Sequence, residues 1–439
     1  MVGVDWGKIP DVGAVALLTC AFASVARRGQ TPVSRIWLTG WLLIVLHFFA
    51  FIFLPAGGNL GNAATFVGLD SLACAGVLFL WASIPYRSQI SSRWMVGTLL
   101  GASTLYLALL TYFPTASWAL DATAFLFGGL PLGIALVALR RFNHPIRWVT
   151  VTLFGSLSIF LLLFQNRPGN GSDLALNALF FIVYLACCIH FLYAYHRGTT
   201  GTFITASGFL AWASVFVVAP SLSTFLPALH LESEVWNLPK YVVAVGMILL
   251  LLEDQIEHNK YLALHDELTG LPNRRLFQDR LASALERARR TGTQAALLLV
   301  DLNHFKQVND TLGHHAGDKL LARVGAILTG RVRRSDTVAR TGGDEFSLIL
   351  EEPTSREDAE NVRKSLTQLL KEPLQIEDHT VRIGASVGMA LFPEDAPSLE
   401  SLCIVADLRM YAEKYESKSN GESRRGSSSH TFPAVEAQA

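Results

Sequence analysis

The chain has 439 residues, 51% of them hydrophobic, and a mean hydropathy of +0.35, more apolar than a soluble enzyme and indicative of membrane insertion. Its formal net charge of zero excludes a strongly basic chain built to bind nucleic acid. Four of the five cysteines (Cys20, Cys74, Cys187, Cys188) lie in apolar runs and Cys403 stands alone, so neither a disulfide framework nor a CxxC metal site is present.

The first apolar run has no basic stretch before it and no small-residue cleavage site after it, so no removable signal peptide is expected. Apolar stretches near spanning length then recur to Leu252, about nine in all: Val12–Val25, Ile36–Phe53, Ala63–Ile84, Trp94–Tyr112, Trp118–Leu139, Trp148–Phe164, Leu174–Tyr195, Phe203–Phe225 and Tyr241–Leu252. The first and last are the shortest. Arg27, Arg28 and Arg35, then Arg87 and Arg93, then Arg140, Arg141 and Arg147, then Arg197 mark alternate loops, while the intervening loops carry almost no positive charge except Arg167. Basic residues are retained on the cytoplasmic side, which predicts an outside N-terminus and a cytoplasmic C-terminal half. His47, Asp70, Asp121 and His190 are ionisable groups within apolar segments and are functional candidates on that ground. The simpler reading is that Asp70 and Asp121 sit at wet outer ends and each histidine bonds a neighbouring helix. No internal repeat of interrupted helices supports a transporter.

After the last span, Glu253 to Lys260 are polar helix formers without Gly or Pro, so the helix is expected to continue out of the bilayer. Leu249, Leu252, Ile256, Asn259 and Ala263 alternate at three and four residues, the spacing of a two-stranded seam with Asn259 as its polar position; a solvated helical linker is the alternative. Beyond Pro272 the periodicity predicts helix 274–290, strand 295–300, helix 315–328, a hairpin of strands 337–341 and 346–350, helix 356–370, strand 382–391 and helix 399–415. This is the order of a ferredoxin-like sheet with helices on one face.

Within that order, Arg340-Thr341-Gly342-Gly343-Asp344-Glu345-Phe346 reads as a tight turn in which positive φ costs nothing and the backbone stays open to a ligand. Its adjacent carboxylates, with Asp301 at the end of its own strand, form a cluster suited to Mg2+ completed by substrate phosphates. Other motifs stand at fixed distances: Asp266 to Arg275, Asp301 to Asp310, Gly313-His314 with Gly317-Asp318, Ser386-Val387-Gly388, and Ala406-Asp407 with Met410-Tyr411. Together these resemble the GGDEF family of diguanylate cyclases from about Leu264 to Ser419.

The resemblance implies a multi-span α-helical membrane bundle followed by a cytoplasmic α+β GGDEF domain of the ferredoxin-like, nucleotidyl-cyclase-like kind. It implies conversion of two GTP into cyclic di-GMP at a bacterial inner membrane, with two Mg2+ per active site (Mn2+ as an alternative), a homodimer for catalysis and no nucleic-acid partner. The expected divisions are a membrane sensory domain at 1–252, a connector at 253–265, the cyclase at 266–419 and a disordered tail at 420–439. Asp301, the Leu302 carbonyl and Asp344 match the metal ligands, and Asp344 or Glu345 the group that deprotonates the attacking 3′-hydroxyl. Asn309 and Asp318 match the guanine readers, Phe305 and Lys306 the turn under the phosphates, Gly342 and Gly343 the open bend, and Lys414 and Lys418 the phosphate-binding cations. Arg333 and Asp336 stand at the spacing of the product-binding inhibitory site.

Asn303 replaces a frequent Asp, Arg409 and Glu413 stand where small residues are usual, and Ser417-Lys418-Ser419 replaces Gly-Arg-Asn. A lysine lacks the arginine fork, which keeps a second reading open: a weak or silent domain that binds GTP or cyclic di-GMP as a receptor. A membrane receptor or transporter with an accessory cyclase is a third. No phosphodiesterase domain is expected to follow.

Overall fold

The computed structural model describes residues 3–29, 31–84, 93–137, 145–166, 171–195, 198–226, 228, 233–353 and 355–425. Arg87, Arg140, Arg141, Arg167, Arg197 and the tail from 426 lie outside the described residues, as do the side chains of Arg28, Arg93, Lys418, Arg424 and Arg425. The chain divides into two compact units, Met1–Ile256 and Glu257–Ala439.

The first unit is helical: α1 (Ile9–Gly29), α2 (Pro32–Phe51), α3 (Gly58–Ala82), α4 (Arg93–Tyr112), α5 (Ser117–Val137), α6 (Pro145–Phe164), α7 (Gly171–Ala194), α8 (Thr200–Phe225) and α9 (Ser233–Leu264). Among the described residues eight of these are long and apolar enough to cross a membrane, and the stretch Val96–Tyr112 of α4 is the shorter one. This corrects the expectation that the first and last spans are the short ones: Trp6–Arg27 and Val235–Leu264 both reach full length, because polar residues at their ends continue the helix. Thr31 and Thr199 cap their helices through side-chain oxygens that accept from Ser34 N and Thr202 N, supplying partners that the first turn lacks. Trp37, Trp41, Tyr184, Phe209 and Trp212 form the centre of a buried aromatic core, with Tyr184 stacked on Trp212 at 4.1 Å. Exposed Trp94, Trp118 and Trp148 stand near helix starts, as expected of interfacial aromatics.

The second unit contains α10 (Arg274–Thr291), β1 (Ala295–Asn303), α11 (Phe305–Leu312), α12 (His314–Arg331), β2 (Thr337–Arg340), β3 (Glu345–Glu351), α13 (Arg356–Lys371), β4 (Leu374–Ile376), β5 (His379–Val381), β6 (Gly384–Phe392) and α14 (Leu399–Arg425). The main sheet is antiparallel in the order β2-β3-β1-β6, with β4-β5 a separate hairpin. That is the ferredoxin-like order, but the helices cover both faces, correcting the one-face expectation. Ala296, Leu298, Val300 and Leu302 of β1 join a core with α12 and α13, whereas Ala295, Leu297 and Leu299 join one with α10 and α14. A strand that is apolar on both sides needs cover on both, and β1 is buried along nearly all its length.

Candidate active site

Directly opposed residues of antiparallel strands share a face. Asp301 of β1 is paired with Glu345 of β3 and with Ser386 of β6, so a polar row crosses three strands on the face that α14 covers. Asp301 is buried. Lys414 of α14 brings Nζ to 2.7 Å from each carboxylate oxygen but is aligned to donate to Oδ2, leaving the buried Oδ1 without a hydrogen bond. Leu302, on the other face, donates its N–H to the carbonyl of Asp344 at 3.2 Å, which joins the strand end to the glycine bend.

The bend is closed by its own backbone, Thr341 N and Gly342 N donating to Glu345 O at 3.0 and 3.3 Å. Neither Gly342 nor Gly343 has positive φ, correcting the reason expected for them. At Gly342 the need is space: a Cβ there would come 2.5 Å from Glu345 Oε2, whose side chain folds back over the bend. Gly343 faces open space. Arg340 holds the bend from behind, with Nε and Nη2 donating to Gly343 O at 3.2 and 2.8 Å and Nη1 donating to both oxygens of Asp266 at 3.0 and 3.1 Å. Burial alone would raise the Asp266 pKa, but hydrogen bonds from Thr269 and Arg340 outweigh it and hold the carboxyl below its ordinary value. Asp266 follows the end of α9, so a fork of hydrogen bonds links that helix terminus to the bend.

At the end of β1, His304 takes a left-handed conformation at φ 64°, uncommon for a residue with a side chain, and turns the chain into α11. Phe305 and Lys306 then open a helix whose first N–H groups have no intrahelical acceptor. Asn309 packs against α12 at Gly317, where a Cβ would overlap the Asn309 amide. Asp318 is the next residue and is exposed, which sets the two expected guanine readers at one corner of the fold.

The substitutions in α14 have partners. Arg409 donates to both oxygens of Asp395 and to Met389 O, while Glu413 accepts from Val387 N at 2.9 Å and Arg363 at 3.2 Å. Asn303 accepts from Ser386 Oγ at 3.1 Å. At the other expected site, Arg333 is exposed, whereas the Asp336 carboxylate accepts from the backbone of Arg333 and Glu351 at 2.8 and 3.0 Å. Asp336 therefore shapes the turn that carries Arg333.

Among the described residues no three His, Cys, Asp or Glu side chains gather as a metal site. The expected set needs only Asp301, Asp344 and the Leu302 carbonyl, with phosphate oxygens and water completing the shell, as suits Mg2+. The buried Asp301 carboxylate has the Lys414 ammonium 2.7 Å from each of its oxygens, which fits a position that attracts cations.

Sequence reasoning overlooked a polar cluster in the helical unit. Asn237 of α9 donates to Asp11 Oδ2 at 2.9 Å, Tyr241 donates to Asp11 Oδ1 at 3.0 Å, and Lys240 donates to Asn237 Oδ1 at 2.7 Å. Lys240 Nζ also lies 4.6 Å from the centre of the Phe48 ring. Asp11 and Lys240 are only 4% and 8% exposed. Both flank predicted spans, and their burial could have been suspected only from the helices being longer than the apolar runs. Each of the four expected groups bonds to a residue of another helix or its end, as the simpler reading expected of the histidines: His47 to Gly68 O, His190 to Thr150, Asp70 to Thr104, Asp121 to Asn166.

Residues 263–420 match the family described as diguanylate cyclase, GGDEF domain. The bifunctional diguanylate cyclase/cyclic di-GMP phosphodiesterase MucR of Pseudomonas aeruginosa is 42% identical over 190 residues, 39% of this chain and 27% of that protein. The diguanylate cyclase TpbB of the same organism is 38% identical over 168 residues, 38% of this chain and 39% of that protein. The chain thus spans well under half the length of these curated relatives. A solved structure comprising only the TpbB GGDEF domain shares 40% identity over 35% of this chain and 89% of that one, with a TM-score of 0.34. Residues 263–420 are thus a GGDEF domain.

Proposed function

We propose that the chain is a membrane-anchored diguanylate cyclase that joins two GTP into cyclic di-GMP and releases two pyrophosphates. One observation carries the reading: Asp301 and Glu345 are register partners on one face, and the Asp344 backbone is bonded to Leu302 beside them. Divalent cations held by Asp301, Asp344 and the Leu302 carbonyl supply charge neutralisation for the phosphates. Asp318 accepts from the guanine N1 and N2 donors, and Asn309 offers both a donor and an acceptor to the same edge. Adenine leaves that pair unsatisfied. The backbone at Phe305 and Lys306 and the ammonium groups of Lys414 and Lys418 hold the triphosphate, and Gly342 and Gly343 leave room for it. Asp344 or Glu345 takes the proton of the 3′-hydroxyl. Each 3′-oxygen bonds to the α-phosphorus of the other nucleotide as the bond to pyrophosphate breaks. One domain holds one GTP, so two copies must face each other.

The arginine bias of the loops supports an outside N-terminus, a cytoplasmic cyclase and a bacterial inner-membrane location. The membrane helices act as the sensory domain through α9. Arg333 grips the product at an inhibitory site, with Asp336 holding its turn. The receptor reading draws on Lys414, whose ammonium occupies the Asp301 carboxylate. Purified full chain with GTP and Mg2+, assayed by chromatography, distinguishes the two. The cyclase reading expects cyclic di-GMP, with a loss of at least about a hundredfold in Asp344→Ala. Bound GTP with no product supports the receptor, and unchanged turnover in Asp344→Ala removes the metal assignment. Arg333→Ala is expected to keep turnover going at product levels that stall the unaltered chain.

A further inference from the structure

Two roles meet in Lys414. Its ammonium lies 2.7 Å from each oxygen of the Asp301 carboxylate, and it is also one of the cations assigned to the triphosphate. An ammonium cannot stay on that carboxylate beside a divalent cation, since like charges at contact distance repel strongly where water is scarce. The backbone around Lys414 is fixed. Glu413, the preceding residue, accepts from Val387 N at 2.9 Å and from Arg363 at 3.2 Å, and Arg363 donates to Val387 O at 3.5 Å. Val387 follows Ser386, the register partner of Asp301 on the edge strand β6, so this ion pair takes up the N–H and carbonyl that a further strand would use. Arg409, just over a turn earlier, is held by Asp395 and Met389 O. Movement of the ammonium therefore belongs to the side chain and not to the helix.

The two partners differ in access. The Asp301 side chain is 8% exposed and that of Lys414 32%, so the lysine can leave without opening the core. Its compact charge on a flexible four-carbon stem, with donors that turn freely, suits it to changing partners. We infer that Lys414 is a displaceable counter-cation: it neutralises Asp301, yields the carboxylate to a divalent cation, and passes its ammonium to the triphosphate. The inference rests on the proposed metal role of Asp301. Lys414 thereby opposes metal binding without nucleotide and favours joint arrival of metal and triphosphate, because only the phosphates give the displaced ammonium a new partner. By linkage the coupling is reciprocal. The occupied carboxylate on which the receptor reading draws becomes the resting half of an exchange.

Binding of Mn2+ to the detergent-solubilised full chain without nucleotide, followed by electron paramagnetic resonance, tests this. Lys414→Gln removes the charge and is expected to bind Mn2+ about tenfold more tightly than the unaltered chain, the worth of one charge-assisted hydrogen bond that the metal otherwise breaks. Lys414→Arg keeps the charge and is expected to bind no more tightly than the unaltered chain. A second measurement needs no variant: acylation of Lys414 by an amine-reactive reagent, read by mass spectrometry, is expected to rise several-fold when Mn2+ is added and to fall again with tripolyphosphate. Mn2+ binding by Lys414→Gln that is equal to or weaker than that of the unaltered chain, or Lys414 reactivity unmoved by Mn2+, overturns the inference. Asp301→Asn separates this failure from that of the metal assignment. If Asp301→Asn binds Mn2+ as the unaltered chain does, Asp301 is no ligand and both fall. If Asp301→Asn loses the metal while Lys414→Gln gains nothing, only the exchange falls.

Discussion

Arg340 directs its guanidinium to two protein groups, the Gly343 carbonyl and the Asp266 carboxylate. A lysine carries the charge but cannot make both connections at once. Arg340→Lys is expected to lower the turnover rate by about ten- to a hundredfold, the cost of misplacing a bend by around an ångström, while GTP binding changes less; steady-state kinetics separate the two. Gly317 acts on the other corner. Gly317→Ala displaces the Asn309 amide, so KM for GTP is expected to rise roughly tenfold and discrimination against ATP to weaken, which competition between the nucleotides measures. The sequence displayed both glycine positions but not their reasons. The Gly342-Gly343 pair reads as a positive-φ turn, whereas the constraint at Gly342 is the returning Glu345 side chain, a packing fact that spacing does not carry. Gly317 was visible only as part of a family motif, because what fills its missing Cβ comes from the preceding helix.

Among the elements, α14 shows how substitutions at positions usually small are accommodated. Arg409 and Arg356 both reach Asp395, whose carboxylate also accepts from Leu391 N. The Arg409 hydrogen bonds, reinforced by Arg356 and the Leu391 amide, outweigh burial and hold the Asp395 pKa well below its ordinary value. A depressed carboxyl stabilises the fold fully above its unfolded pKa and loses that contribution as pH falls through its folded one. Asp395→Asn is therefore expected to cost about 2 kcal/mol at neutral pH, and the difference from the unaltered chain is expected to shrink in acid; denaturation of the purified chain at two pH values checks it. Most strands and helices of this unit were legible because β1 is a continuous apolar run and α10, α12 and α13 carry clear helical periodicity, whereas the eight-residue α11 reads only as a turn. The β4-β5 hairpin was not, since three-residue strands are too short for any period. The helix α14 continues to Arg425, past the polar residues that suggested an end near Tyr415.

On the scale of the whole chain, α9 belongs to both chemistries, starting in the buried cluster of Asp11, Asn237, Lys240 and Tyr241 and ending beside Asp266. Its end is fixed by Asn273, which donates to the carbonyls of Ala263 and Leu264 and caps α10. A buried charge that loses its partner costs about 3 to 5 kcal/mol, so Asp11→Ala is expected to lower the melting temperature of the detergent-solubilised chain by several degrees. Lys240→Met leaves the Asp11 carboxylate buried but still hydrogen-bonded by Asn237 and Tyr241, and is expected to cost less. A shift in cyclase output in Lys240→Met with little change in melting identifies the cluster as an input to α9. The division into an apolar half and a charged half was plain from composition. The cluster was hidden because Asp11 and Lys240 lie just outside the apolar windows that mark spans.

Product formation from GTP by the purified full chain, measured beside its Asp301→Asn variant, bears most directly on the proposed chemistry. Asp301→Asn keeps the size and shape of the side chain and removes the charge that faces Lys414. The expected result is cyclic di-GMP from the unaltered chain and at least about a hundredfold less from the variant, with GTP discrimination at Asn309 and Asp318 intact. Equal turnover by the two chains, or bound GTP without product from the unaltered one, would contradict the account.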